Sequence, residues 1–371
     1  MLIGLIFTLC IVIGMFAGLL MFWKVPSLQP IRGQKKLYSM LSVIIPARNE
    51  AKRIGPLLES LKKQKGQVFE VIVVDDASTD ETARLVHSYG YTVIKNEKLD
   101  DGWVGKSAAC WLGANNAKGK HLLFLDADTQ FNSDFLCQLA KKYEQKKETG
   151  IVSVQPYHTA ERPYEHLSAL FNIIVMVGMN VFTAFGNKLE AAGSFGPCIL
   201  CNKKEYMEVG GHAAIKDAVM DDIELGEAFM QAGYRVRCYS GKGLLTFRMY
   251  PEGLPQLLEG WTKNFATASQ STHPIVLSLV SIWIAGGFLS FFFLAYSMIW
   301  APFLWGVASV ITYFLFMLQF FWFARRTGNF RFWVFILFPL HLLFFTGLFC
   351  RSIYMTHVVG SVNWRGRKIK V

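Results

Sequence analysis

Acidic residues are missing from the last part of the chain: from Trp261 to Val371 there are nine Lys or Arg and no Asp or Glu. Most of the formal charge of +11 therefore sits among the long apolar runs of that region, where anionic lipid headgroups are the expected partner. Nucleic acid is not expected, because the sequence has no helix-turn-helix, zinc-finger or aromatic-stacking pattern. A disulfide framework is also lacking, and seven unpaired-looking cysteines suit a reducing cytoplasm. Cys198 and Cys201 have metal-site spacing, but no second pair completes a zinc set, and the apolar residues between them read as a strand. There is no internal repeat and no low-complexity tract. Charged residues make up only 18% of the 371, against 52% hydrophobic. That balance is too apolar for an ordinary soluble domain, and the chain is too long for a bare membrane anchor.

Residues Leu2 to Trp23 are uncharged throughout and long enough to cross a hydrocarbon core of about 30 Å. No basic segment precedes them and no small-residue cleavage site follows, so residues 1–24 are expected to stay as an anchor. Lys24, Arg32, Lys35 and Lys36 come next, and the positive-inside bias assigns the following chain to the cytoplasmic face of the cell membrane. A second apolar block, 274–324, fits two spans near 275–296 and 303–323 with a turn around Pro302. The stretch 332–350 is expected to be re-entrant or interfacial, with a fourth crossing as the alternative. Pro339 interrupts it, and a crossing would put the basic tail, residues 351–371, outside.

Between these blocks, residues 38–272 alternate short apolar runs with helical spacing. Leu41 to Ile45, Val68 to Val74, Thr92 to Ile94, His121 to Leu125 and Ile151 to Val154 read as strands; Leu57, Leu58, Leu61 and Ala83, Val86 mark helices. The pattern predicts an α/β domain with a mainly parallel sheet covered on both faces. Ligands of such sheets bind at the carboxyl ends of the strands. One apolar segment inside this region, 164–186, is read as an interfacial helix pair or, equally well, as a buried core helix.

Three strand ends carry acids. The first reads Pro46-Ala-Arg48-Asn-Glu50, the second Asp75-Asp76-Ala-Ser78-Thr-Asp80, and the fourth Asp126-Ala-Asp128. Side by side they would repel one another unless a cation or ligand donors compensated, which argues for a functional site. Asp76 suits a nucleobase or ribose, Arg48 a phosphate, and Asp128 a divalent cation, Mg2+ or Mn2+. Asp126 is expected to face the ligand or a bridging water. Ser78 and Asp80 also fit a helix cap.

These residues resemble the inverting family 2 glycosyltransferases, which have the nucleotide-sugar-binding GT-A fold. The marks are the three strand ends, then Asp221-Asp222-Ile-Glu-Leu-Gly226 and Glu259-Gly-Trp261-Thr-Lys263. The resemblance implies a UDP-sugar donor, Asp222 as general base, and the Trp261 motif against donor and acceptor. The family's usual Glu-Asp pair is Asp221-Asp222 here, and the Gln-x-x-Arg-Trp signature of processive members is absent. A polysaccharide synthase is accordingly disfavoured. A longer set of motifs, including Trp103-Val-Gly-Lys106, Gly210-Gly-His212 and Trp364-Arg-Gly-Arg367, is similar to members that transfer glucose from UDP-glucose to a carotenoid acid. Another lipid acceptor, a hydroxyl lipid or polyprenyl phosphate, remains the alternative, and other enzymes of the same pathway are candidate partners.

The resemblance thus implies Pro46, Arg48, Glu50, Asp76, Lys106, Asp126, Trp261 and Lys263 as substrate-binding residues, with Asp128 on the metal. Lys106 and Lys263 would add positive charge at the diphosphate, their bland alternative being solvated surface lysines. A hydroxyl acceptor needs Asp222 to take its proton, whereas a carboxylate, with a pKa of about 4, arrives ionised. His158 and His212 are assigned either to the acceptor side or to ordinary polar packing.

Overall fold

The computed structural model describes residues 2–28, 40–64, 70–96, 102–186, 188–218, 220–265, 271–364 and 367–370. The chain forms two compact units, one of residues 26–157 and 191–249, the other of residues 1–25, 158–190 and 250–371. Each is assembled from pieces separated in sequence.

In the first unit, β1 (Leu41–Ala47), β2 (Glu70–Asp75), β3 (Thr92–Lys95) and β4 (His121–Leu125) are parallel neighbours in the order β3-β2-β1-β4. A three-residue strand, β5 (Thr129–Phe131), leaves the sheet just after β4. β6 (Ile151–Gln155) precedes β7 (Tyr157–His158), where the chain passes to the other unit. On its return, β8 (Cys198–Asn202) lies antiparallel between β4 and β6, and β9 (Val236–Ser240) pairs parallel with β6. β10 (Leu245–Phe247) then pairs antiparallel with β5. Every residue of β6 is buried, as are all but one of β1, which is why these strands read as continuous apolar runs instead of alternating ones. The mostly parallel sheet agrees with the sequence reading. Of the expected strand from Val68, residues 68 and 69 lie outside the described residues.

Helices fill the connections: α2 (Gly55–Lys62), α3 (Thr82–Ser88), α4 (Gly105–Asn116), α5 (Phe135–Glu144), α7 (Lys203–Glu208), α8 (Gly211–Ala214) and α9 (Asp221–Gln231). α2 begins with a proline in its first turn, where no N–H is needed, and buries Leu57, Leu58 and Leu61. The reversed strand β8 of the seven-stranded sheet brings Phe195–Pro197 back to the end of β4, with Asp126 N–H donating to Pro197 O at 3.1 Å.

The second unit contains α1 (Leu2–Met21), α6 (Ser168–Gly178), α10 (Leu254–Phe265), α11 (Pro274–Trp300), α12 (Phe303–Thr327), α13 (Phe338–Tyr354) and a terminal hairpin of β11 (Ser361–Trp364) and β12 (Arg367–Lys370). α1, α11, α12 and the helical run Phe332–Val359 are each long and apolar enough to cross a membrane. Pro339 does not interrupt a helix: a 3-10 turn, Phe332–Leu337, ends just before it, and Pro339 falls in the first turn of α13. The segment 164–186 holds most of a 3-10 turn, Pro163–Leu167, and one α-helix, α6. Phe171, Ile173, Met176 and Val177 of α6 are buried among the other helices of this unit.

Small residues set the packing of the apolar helices. A methyl at Gly14 of α1 would lie 2.8 Å from Gly286 Cα of α11, so the two backbones touch. Nearby, Trp283 Nε1 donates to Gln319 Oε1 at 3.0 Å and Gln319 Nε2 to Met15 O at 2.8 Å, which satisfies the buried amide. Gly14→Ala should therefore destabilise the detergent-solubilised protein by about 1–3 kcal/mol through overpacking. Gly306→Ala, at an α12 position with open space around it, should be neutral or stabilising by up to about 1 kcal/mol. Thermal unfolding of both variants checks this, and equal effects would contradict the close α1–α11 approach.

Candidate active site

The ends of β1, β2 and β4 lie next to one another, as the acidic strand ends required. At the β1–β2 side, two loops brace each other. Asn49 and Ala77 both adopt left-handed backbone, with φ of 53° and 52°. Asn49 Oδ1 accepts from Thr79 N–H at 2.8 Å, and Asn49 N–H donates to Ser78 Oγ at 3.0 Å. Asp80 accepts from the N–H groups of Thr82 and Ala51 at 3.0 and 3.1 Å, so Ser78 and Asp80 brace the loops, while the N-cap position of α3 is Glu81.

This bracing presents Asp76. Its Oδ2 lies 3.6 Å from Arg48 Nη1, and Asn96, just past β3, donates to its Oδ1 at 3.0 Å. Burial raises the Asp76 carboxyl above its ordinary value, against the opposing pull of Arg48 and Asn96. Asn96 was not singled out in the sequence, although the strand-end rule that found Asp76 extends to β3. Glu50 is buried and paired with Arg53 at 2.9 Å, while Pro46 sits within β1 opposite Val74.

The second cluster surrounds Lys106, in the first turn of α4. Its Nζ lies 3.0 Å from Asp126 Oδ1 and 3.6 Å from Asp221 Oδ2. Burial works to lower the ammonium pKa, but the carboxylates of Asp126, Asp221 and Asp222 outweigh it and hold it well above the usual lysine range. Asp222 begins α9 beside Asp221. Its Oδ2 accepts from Gly196 N–H at 2.8 Å, and its main-chain oxygen accepts from Ser194 Oγ at 2.7 Å. This contact requires α9 to approach the loop closely: a methyl at Gly226 would lie 2.6 Å from Ser194 N, and Gly193 has φ 155°. Burial and the neighbouring Asp221 push the Asp222 carboxyl up to about 6, opposed by Lys106.

Asp128 lies half-buried in the turn after β4. Among the described residues no group of three or more His, Cys, Asp or Glu is arranged to hold a metal, and the Asp126 carboxylate is engaged by Lys106. These donors fit a cation held by Asp128, water and oxygens of a bound diphosphate, and do not fit an all-protein cage.

Trp261 and Lys263 lie on α10, in the other unit. Trp261 is 1% exposed, stacks on Phe171 at 4.9 Å and donates its indole N–H to Ser168 Oγ at 3.0 Å. In this structure the side chain packs α10 against α6. Lys263 is half-buried. His158 stacks on Phe330 within that unit, whereas His212 belongs to the Lys106 surroundings, with Nε2 3.8 Å from Asp221. Cys198 and Cys201 are buried free thiols of β8, pushed up by burial.

The pattern described as "Glycosyl transferase family 2" matches residues 42–210. The 4,4'-diaponeurosporenoate glycosyltransferase of Staphylococcus aureus (strain USA300) is 39% identical over 337 residues, covering 90% of this chain and 89% of that protein. The same-named protein of the bovine strain RF122/ET3-1 matches to the same extent. Among solved structures, a mannosyltransferase from Pyrobaculum calidifontis in complex with GDP-Man and Mn2+ superposes with a TM-score of 0.53 at 16% identity, covering 94% of this chain and 98% of that one. This likeness is one of fold, the GT-A arrangement.

The raised Asp222 pKa has a stability consequence. The folded protein holds this proton more tightly than the unfolded chain, so the contribution is neutral below about pH 4 and turns destabilising as pH rises through about 6. Asp222→Asn, whose amide oxygen can still accept from Gly196, should stabilise the ligand-free protein at pH 8 by up to about 3 kcal/mol. The gain should vanish near pH 4. A gain in unfolding temperature that does not depend on pH would refute this assignment.

Proposed function

The chain belongs to glycosyl transferase family 2, and from that premise we propose that it is a membrane-bound inverting glucosyltransferase. It moves glucose from UDP-glucose to the carboxylate of a C30 carotenoid acid of the 4,4'-diaponeurosporenoate type, forming a glycosyl ester. The single observation that carries the reading is the Lys106 ammonium held between Asp126 and Asp221 beside the buried Asp222. It supplies a fixed positive charge for a departing diphosphate next to a carboxylate suited to the nucleophile's side. The acceptor follows the printed name of the Staphylococcus aureus relatives, which share most of their length with this chain.

In the proposed reaction Asp76, with Arg48 and Asn96, holds the nucleoside end of the donor. An oxygen of the acceptor carboxylate attacks the anomeric carbon from the face opposite the diphosphate. As the new C–O bond forms, the bond to the diphosphate oxygen breaks, UDP leaves and the configuration inverts. Lys106 meets the charge on the leaving group. A divalent cation, Mg2+ or Mn2+, held by Asp128 and the diphosphate, would neutralise the remainder; Mn2+ accompanies GDP-Man in the Pyrobaculum calidifontis enzyme. Asp222 has no proton to remove from an ionised acid, and it orients the sugar or a cation instead.

Asp222→Asn should then abolish transfer to a hydroxyl lipid while sparing transfer to the carotenoid acid, and equal loss with both acceptors would sink the distinction. Mass spectrometry of lipid extracts from membranes given candidate UDP-sugars identifies donor and acceptor together. The expected product is a hexosyl ester cleaved by mild alkali; an alkali-stable glycoside or a long polymer would overturn the reading.

We also propose that the catalytic unit lies on the cytoplasmic face and that the segment Phe332–Val359 is re-entrant. Contacts within the second unit support this. At the segment's start, Asn329 N–H donates to His158 O at 3.0 Å. Its opening 3-10 turn already reaches deep: Tyr313 Oη donates to Ile336 O at 2.7 Å, and Tyr313 lies some way along α12 from its end at Thr327, about 20 Å at 1.5 Å per residue. Its end returns to α10, where Ser352 Oγ donates to Thr262 O at 2.8 Å. Both His158 and α10 adjoin the catalytic unit in the chain. The basic C-terminus should therefore stay in the cytoplasm. A reporter fused after Val371 is expected to fluoresce as green fluorescent protein and to be inactive as alkaline phosphatase; strong phosphatase activity would establish a fourth crossing.

A further inference from the structure

Behind the carboxylate cluster lies a buried pair that the reaction does not use, Tyr206 of α7 and His212 of α8. The Tyr206 hydroxyl oxygen accepts the His212 main-chain N–H at 3.0 Å and lies 2.8 Å from His212 Nδ1. With its oxygen already accepting, the buried hydroxyl has its own proton to place, and His212 Nδ1 is the acceptor within reach. A hydrogen on Nδ1 would leave that hydroxyl proton without an acceptor. The arrangement therefore selects the ring tautomer with hydrogen on Nε2, the nitrogen that faces Asp221 Oδ2 at 3.8 Å.

The pair is braced by the elements that carry the site. Phe124 of β4 lies 5.4 Å from Tyr206 and 5.1 Å from His212, ring to ring, two residues before Asp126. Trp111 of α4, the helix of Lys106, lies 6.0 Å from Tyr206. Gly211, with φ 50°, lets the backbone lie against the Tyr206 ring, where a methyl would come within 2.4 Å of it. Packing on these rings, with both side chains buried, restricts the orientation of the imidazole and so of its Nε2 hydrogen.

We propose that His212, fixed by Tyr206, is a positioning residue: it orients Asp221, and through Asp221 it sets the Lys106 ammonium that meets the donor diphosphate. The assignment rests on the proposed role of Lys106, and it extends the site by two residues that touch no substrate. The Lys106 ammonium at 3.6 Å and the imidazole at 3.8 Å both face the same Asp221 oxygen, Oδ2. The imidazole Nε2–H, 3.8 Å from the oxygen that also faces Lys106, limits how far that carboxylate can swing from the first turn of α9. Lys106 is then kept in contact with Asp126 at 3.0 Å and within 3.6 Å of Asp221.

The test is steady-state transfer from UDP-glucose by the full-length protein in nanodiscs, with UDP binding measured by calorimetry. His212→Phe keeps a ring but has no hydrogen to offer; His212→Gln keeps an N–H near the Nε2 position. His212→Phe should lower kcat about 10- to 100-fold, the effect of misplacing a reacting group by about 1 Å, while the KM for the acceptor changes little. His212→Gln should recover most of that loss, and Tyr206→Phe should fall between them. Wild-type kcat in His212→Phe, or equal loss in the Gln and Phe variants with UDP binding intact, would overturn the proposal. Should His212→Phe fail to fold, the comparison of Tyr206→Phe with His212→Gln decides: the proposal requires a loss in the first that exceeds the second. A wild-type protein that binds no UDP and transfers no sugar would instead refute the function on which this rests.

Discussion

The Lys106 ammonium, 3.0 Å from Asp126 and 3.6 Å from Asp221, is what allows acidic residues from β4 and α9 to converge on one place. At the effective dielectric of a partly buried site, unit charges about 4 Å apart interact by roughly 4 kcal/mol. Three carboxylates without a cation among them would either take up protons or force their elements apart. Lys106 prevents this from the first turn of α4, and the carboxylates in return hold it charged. The closeness of α9 to the 193–197 loop, the reversal of β8 and the position of α4 can all be read as what this arrangement requires.

How far the site was legible in the sequence depended on whether the signal was local. The ends of β1, β2 and β4 were found because β-branched and apolar runs stop abruptly at acids, and parallel neighbours follow from the α/β alternation. Lys106 was ambiguous, since nothing near it in sequence says that Asp221 comes within 3.6 Å. That proximity depends on β8 running backwards between β4 and β6, and strand direction leaves no trace in composition. Gly196 was invisible because it acts through a main-chain N–H, whereas Asn96 lay within reach of the strand-end rule, just past the run Thr92 to Ile94 that was read as a strand. Trp261 shows the converse, a residue implied by resemblance whose indole is committed to Phe171 and Ser168.

The second unit follows a different physical logic. Its outward-facing residues, Leu9, Val310 and Phe314 among them, are exposed and apolar, so stability there cannot come from withdrawing hydrocarbon from water. It comes from close backbone contact at Gly14 and Gly286 and from polar groups satisfied inside, such as Gln319 with Trp283 and Met15. The sequence revealed the length of these helices well, because length and apolarity are local properties. Whether Phe332–Val359 crosses or turns back is not a local property, because it depends on which neighbours its two ends touch.

Charge also links the acceptor to the cation. Counted at neutral pH, Lys106 offsets one of the three carboxylates of Asp126, Asp221 and Asp222, so the cluster remains net negative before any ligand arrives. A nucleotide diphosphate would meet that field as a like charge, and an acid acceptor would add another. Arg48 lies with Asp76 and is largely compensated by it. Raising Asp222 towards neutrality lessens the repulsion by one charge at most. In the proposed reaction a divalent cation entering with the diphosphate supplies positive charge; among the described residues no group of three or more His, Cys, Asp or Glu is arranged to hold a metal, which suits a cation that arrives with the donor. On this argument an acidic acceptor makes the enzyme more dependent on its cation than a hydroxyl acceptor would. A hydroxyl brings no charge to the site, and its proton can pass to Asp222, removing one of the carboxylate charges as the bond forms.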